Sequence, residues 1–100
     1  MKDTWEQLAD AVADTIVLLQ KYEVSGWADR LIEINHRIIQ RWPEGPILLL
    51  DQYGGMGSLT DVYICPENNH KIRNEDERDV NQMLQKLTSK MYALAKELER

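Results

Sequence analysis

Apolar residues recur along this chain at helical spacing in three long stretches. Trp5, Leu8, Val12, Ile16 and Leu19 advance in steps of three and four, which places them on one stripe of an α-helix. Asp3, Glu6, Asp10 and Asp14 advance at the same step on the other side, so the first helix has one apolar and one acidic face. Asp3 and Glu6 have the spacing of a capping box, an acceptor followed three residues on by Glu. This helix is expected to end near Tyr22. Ser25-Gly26 reads as a short break, with Ser25 as the cap of the next helix. There Trp27, Leu31, Ile34, Ile38 and Trp42 form the stripe, and Ile32 and Ile39 widen it. Asp29, Arg30, Glu33, Arg37 and Arg41 mix on its polar face, and Glu33 with Arg37 gives local support. Pro43-Glu44-Gly45-Pro46 stops the helix, because proline breaks the hydrogen-bond ladder and restricts the residue before it. The short connection predicts an antiparallel helical hairpin.

The C-terminal third carries the cleanest pattern. Val80, Leu84, Leu87, Met91, Leu94 and Leu98 alternate steps of four and three, a seam that suits a long core-facing helix or a coiled-coil strand. Asn74 with Glu77 repeats the capping spacing, and Glu75, Asp76, Glu77 and Asp79 complement the positive end of the helix dipole. The middle is less periodic. Residues 47–53 suit a short helix, entered through Pro46. Residues 58–65 suit one further short element, helical rather than extended, that Pro66 ends. Asn68-Asn69-His70-Lys71 is a turn on composition. The expected fold is all-α: a small helical bundle with an N-terminal hairpin, a glycine-rich central segment with short elements, and a long C-terminal helix.

One hundred residues, 43% hydrophobic and 29% charged, make one globular domain spanning 1–100. Phenylalanine is absent, so Trp, Tyr, Ile and Leu must fill the interior. Cys65 is the only cysteine, which rules out an intrachain disulfide and suits a reducing compartment. The N-terminus has no apolar core of a secretory signal, and no apolar run approaches a membrane span, so the expectation is a cytoplasmic protein. The net charge is −5, and all of it belongs to residues 1–66, with ten acids against five bases. Such a surface disfavours nucleic acid and favours a basic partner through encounter rate and orientation.

Few constellations suggest chemistry. Glu33-Ile34-Asn35-His36 and Glu67-Asn68-Asn69-His70 each set a carboxylate and an imidazole three apart, as in di-iron bundles. The second falls after Pro66 in a turn, so the pair reads as chance spacing and no metal or other cofactor is expected. Gly54, Gly55 and Gly57 crowd one short segment, but neither nucleotide-binding glycine pattern is present. That segment reads as a tight turn or a partner-contacting loop, with Met56 between glycines as an anchor. Cys65 follows an aromatic and β-branched run and reads as buried filler. No nucleophile-and-base arrangement points to an enzyme.

The run Asp51-Gln52-Tyr53-Gly54-Gly55-Met56-Gly57-Ser58-Leu59-Thr60-Asp61-Val62 resembles the signature of a small, largely helical bacterial family of unknown function. In that family Tyr-Gly-Gly-Met-Gly-Ser, an apolar residue, Asn and Asp lie between a helical hairpin and a C-terminal helix. Thr60 stands here where the pattern has Asn. Members resemble immunity proteins of toxin systems that include contact-dependent growth inhibition. The resemblance implies a cytosolic module that is a monomer when free and binds a cognate toxin domain one to one. If the toxin is a basic nuclease such as an RNase, an acidic inhibitor would cover its substrate-binding surface. The candidate contacts are Asp10 and Asp14 on the first helix, with Asp51, Tyr53, Met56 and Asp61 in the centre. Other readings of the residues are a generic interaction module, a homodimeric adaptor joined by the Val80–Leu98 seam, and a small enzyme built on the two Glu-x-x-His pairs.

Overall fold

The Asp3 carboxylate accepts the Glu6 N–H at 2.9 Å and starts α1, Thr4–Lys21. The computed structural model describes residues 1–54 and 57–99. After α1 come α2 (Ser25–Ile39), α3 (Glu44–Leu50) and the long α4 (Glu77–Leu98), with 3₁₀ turns at Leu59–Asp61, Pro66–Asn68 and Asn74–Asp76. No strand occurs among the described residues. The all-α expectation holds, with hairpin, central segment and long last helix in the expected order.

Both hairpin helices end in the same way. Glu23 takes a left-handed conformation (φ 60°), its N–H reaches Gln20 O at 3.1 Å, and the Val24 N–H reaches Leu19 O at 2.8 Å. Arg41 (φ 61°) repeats the motif at the end of α2, with Arg41 N to Ile38 O at 2.9 Å and Trp42 N to Arg37 O at 3.0 Å. These paired bonds satisfy carbonyls that a helix end otherwise leaves open. Glycine is the usual occupant of such a position, because a Cβ costs about 1–2 kcal/mol there. Arg41 gains something in return. Its guanidinium lies 2.7 Å from Asp3 and 3.7 Å from Glu6, joining the end of α2 to the start of α1.

The α1 stripe is buried as its spacing predicts: Leu8, Val12 and Leu19 are fully covered. Helix α1 packs on α2 and α4, and α3 packs on the same two helices, so the core lies within a four-sided bundle. Leu31 and Ile38 enter it from α2, Leu49 from α3, Met91 from α4, and Leu59 and Ile64 from the central segment. The Val80–Leu98 seam therefore faces its own chain, as a core helix rather than a coiled-coil strand. Gly45 marks a close approach of α3 to α2, since a Cβ there would lie 3.0 Å from both the backbone N and the side chain of Ile38.

The central segment has no ladder of its own, and side chains hold it. Leu59 N donates to Gln52 O at 2.7 Å across the glycine turn, where Gly54 (φ 85°) and Gly57 (φ 76°) are left-handed. The Tyr53 hydroxyl donates to Thr88 O at 2.6 Å. Asn81 on α4 pairs with both backbone groups of the buried Ile64: Ile64 N donates to Asn81 Oδ1, and Asn81 Nδ2 donates to Ile64 O, each at 2.8 Å. The same Nδ2 also reaches Glu77 O.

Several expectations need correction. Ile32, Ile39 and Trp42 are exposed rather than part of the buried stripe. Val24, not Ser25, precedes the first turn of α2, and no side chain caps it. Helix α2 ends at Ile39 through the Arg41 motif, before Pro43, and residues 44–46 open α3 instead of lying between helices. Residues 62–65 are extended, because their β-branched and aromatic side chains accept that backbone and Asn81 supplies the missing ladder partner. Pro66 begins a 3₁₀ turn rather than ending a helix. Asn74 opens a 3₁₀ turn before α4, and no side-chain cap bond is formed at Asp76, the residue that precedes α4.

Three outcomes follow. Asn81→Ala leaves two buried backbone groups unpaired and should lower stability by roughly 2–6 kcal/mol in denaturant titration, from about 1–3 per group. Glu23→Gly relieves a left-handed side chain and should raise stability by about 1 kcal/mol in the same titration. The Asp3 carboxyl is held below its ordinary range, first by the Glu6 N–H and then by Arg41. Its stabilisation is therefore complete above the unfolded value and is lost as pH falls through the depressed folded value. Asp3→Asn keeps an acceptor without the charge, and it should flatten the fall of melting temperature below about pH 4.

Candidate interaction surface

The acidic row of α1 survives in the fold. Asp10, Asp14 and Val17 follow steps of four and three and share an exposed face, with Val17 63% accessible. Lys2 ion-pairs with Asp10, and that hydrogen bond pushes the lysine's pKa up. Asp14 forms no ion pair among the described residues. On α2, Ile32, His36 and Ile39 follow the same steps and share a face. Ile39 is 62% accessible, and Trp42 beyond it meets the edge of the His36 ring with centroids 6.0 Å apart. The two faces converge on a hollow of about 170 Å³, lined by Trp5, Glu6, Ala9, Asp10, Ile38, Ile39 and Arg41. An apolar floor thus carries two carboxylates and one guanidinium at its rim.

The central candidates take other places. Asp51 is exposed at the end of α3 and forms no ion pair among the described residues. Tyr53 is half-buried: its hydroxyl is bound to Thr88 O, and its ring meets the Tyr92 edge at 5.1 Å. Burial, and secondarily Tyr92, raises its pKa well above the ordinary phenol value. Asp61 turns back to accept the Gly57 N–H at 2.8 Å, which fixes the left-handed glycine. Met56 lies outside the described residues. Tyr53 and Asp61 thus hold the turn in shape, and Asp51 is the central carboxylate left open to a partner. Helices α1 and α3 each pack on α2 and α4, so Asp10 and Asp14 belong to a different side of the bundle from Asp51.

A larger groove of about 440 Å³ runs between residues 59–63 and α4. Its walls are amides and hydroxyls (Thr60, Asn81, Gln82, Gln85, Thr88, Ser89) over Leu59, Val62 and Leu84, with Tyr63 and Arg78 at the side. No carboxylate, imidazole or thiol lines it. It offers hydrogen bonds and shape, without a group that titrates near neutrality. Neither Glu-x-x-His motif builds a metal centre among the described residues: His36 turns to Trp42 while Glu33 pairs with Arg37, and His70 Nδ1 accepts the Cys65 N–H at 3.2 Å.

Sequence reasoning missed the apolar half of this surface. It assigned Ile32, Ile39 and Trp42 to the buried stripe, although Ile32 and Ile39 each lie about 100° round the helix from Leu31 and Ile38. The angular count was the available signal. No signal identified Arg41 as the tie to Asp3, because the two residues meet only when the hairpin closes.

No curated protein and no solved structure matches the chain. A family model described as a domain of unknown function, DUF6966, matches residues 20–73, from the end of α1 through α2, α3 and the central segment. That match spans more than half of the sequence, and the chain accordingly belongs to the DUF6966 family.

Proposed function

We propose that this protein is a cytoplasmic immunity protein that neutralises a cognate toxin domain, a basic nuclease such as an RNase, by covering its active or substrate-binding surface in a one-to-one complex. The observation that carries this reading is the outer face of α1 and α2, where Asp10 and Glu6 flank a hollow bordered by exposed Ile39. Solvent-facing apolar anchors ringed by charge are what a protein interface uses: the anchors supply affinity and the charges supply encounter rate and register. A nuclease surface shaped for phosphates is basic, and this face is its electrostatic complement. The groove beside α4, walled by amides and hydroxyls with Arg78 at its side, suits hydrogen bonding to a partner loop better than acid–base chemistry. An interface of standard size, about 800 Å² on each partner, is wide enough to include Asp14 and Val17 beside the hollow.

The primary test is growth. The C-terminal domain encoded directly upstream of this gene is induced alone and then with this protein. Toxicity alone and rescue on co-expression is the expected result, and a toxic domain that is not rescued removes that pairing. With the complex in hand, Asp10→Lys with Asp14→Lys should slow association at least tenfold at low salt and weaken its salt dependence. Trp42→Ala should instead speed dissociation, costing about 2 kcal/mol of binding. An association rate unchanged by the charge reversals would exclude the α1 face as the docking site.

A further inference from the structure

The end of the extended run and the first turn of α4 bring together three side chains that the proposed interface does not use. Cys65 is 7% exposed, and its thiol makes no hydrogen bond among the described residues. Its sulfur and one oxygen each from Glu67 and Glu77 all lie within 4.8 Å of one another. Neither carboxylate has a cationic partner among the described residues. The backbone beneath them is fixed from several directions. Asn68 N donates to Cys65 O at 3.1 Å, and Asn68 Nδ2 donates to Tyr63 O at 3.0 Å, which holds the turn carrying Glu67. His70 Nδ1 takes the Cys65 N–H, and Asn81, one turn beyond Glu77, holds Ile64. The donors thus sit on pinned elements, as a binding site requires.

Electrostatics leave this corner short of a positive charge. A thiolate within 4.8 Å of two carboxylates repels them unless a cation stands between the three. A cation changes the sign of every one of these interactions.

We propose that Cys65, Glu67 and Glu77 form a site for a thiophilic divalent cation, Zn²⁺ above all, with the fourth position open to water or to the Tyr63 hydroxyl. Thiolate and carboxylate are both zinc ligands, and three protein donors leave a fourth position open, with Zn–S of about 2.3 Å and Zn–O of about 2.0–2.2 Å. Those lengths need donors roughly 3.5 Å apart, a closure that rotation of the exposed Glu67 side chain can supply. Mg²⁺ and Ca²⁺ are poor occupants, because they select oxygen ligands and gain nothing from sulfur. Binding forms a Zn–S bond and releases the thiol proton to solvent, so affinity rises with pH. The site would fasten the 62–68 segment to the start of α4. It stands apart from the toxin-binding reading and does not depend on it.

Cobalt is the probe for the test, because a Co²⁺–thiolate bond gives a near-ultraviolet charge-transfer band that carboxylates alone do not. The full chain, stripped of metal, is titrated with Co²⁺ and then with Zn²⁺. The expected result is a charge-transfer band at one equivalent, displaced by Zn²⁺ and absent in Cys65→Ser. Glu67 is exposed, so Glu67→Gln preserves the fold, and it should weaken cobalt binding at least roughly tenfold, the loss typical even of outer-shell partners. Zn²⁺, but not Mg²⁺, should raise the melting temperature of the native chain and raise it less in Glu67→Gln. No charge-transfer band in the native chain at excess Co²⁺ would overturn the proposal. So would equal cobalt affinity in Glu67→Gln, or equal stabilisation by Mg²⁺.

Discussion

The pairing of the Asn81 side chain with both backbone groups of Ile64 is the constraint on which this fold turns. Between α3 and α4 the described residues run through three 3₁₀ turns and one extended stretch, with no neighbouring strand among the described residues to take up their hydrogen bonds. A buried backbone without partners is costly, so such a segment can enter the core only where side chains stand in for a ladder. Asn81 does this with one amide. It lets Ile64 reach full burial, with Leu59 beside the same helix. Tyr53 repeats the device one stage earlier by tying the end of the α3 connection to Thr88.

The two long helices with clean periodicity, α1 and α4, were legible because one face of each is buried along its whole length, and burial is what periodicity reports. Helix α2 was less legible because it is apolar on two faces, and spacing alone does not say which faces inward. The hairpin packing decides: α1 covers the side of Leu31 and Ile38, and Ile32 and Ile39 are left outside. The 62–65 run failed for a different reason. A short apolar stretch is compatible with either backbone, and its outcome was set by a residue 17 positions away. Of the candidate contacts, the acidic pair on α1 could be read from helical spacing. The internal duties of Tyr53 and Asp61 could not, since they depend on where Thr88 and Gly57 lie after folding.

The surface divides into regions of distinct physical character. The α1–α2 side combines carboxylates with unprotected aliphatic and aromatic groups, an arrangement suited to a charged macromolecular surface with apolar depressions. The α4 side offers amides and hydroxyls along a groove with Arg78 at its side, and the corner at the start of α4 concentrates oxygen and sulfur donors.

The two left-handed residues that close the hairpin helices share one geometry and differ in what holds them there. Glu23 sits in a conformation that suits glycine, with no ion pair among the described residues to offset the strain. Arg41 bears the same strain, but its guanidinium reaches two carboxylates at the start of α1. In evolutionary terms the first position is slack, open to drift toward glycine or asparagine. The second is caught between incompatible optima, since the residue that best relaxes the backbone cannot make the tie. Divergence at the two ends of an otherwise symmetrical hairpin should therefore be unequal, fast at position 23 and slow at position 41.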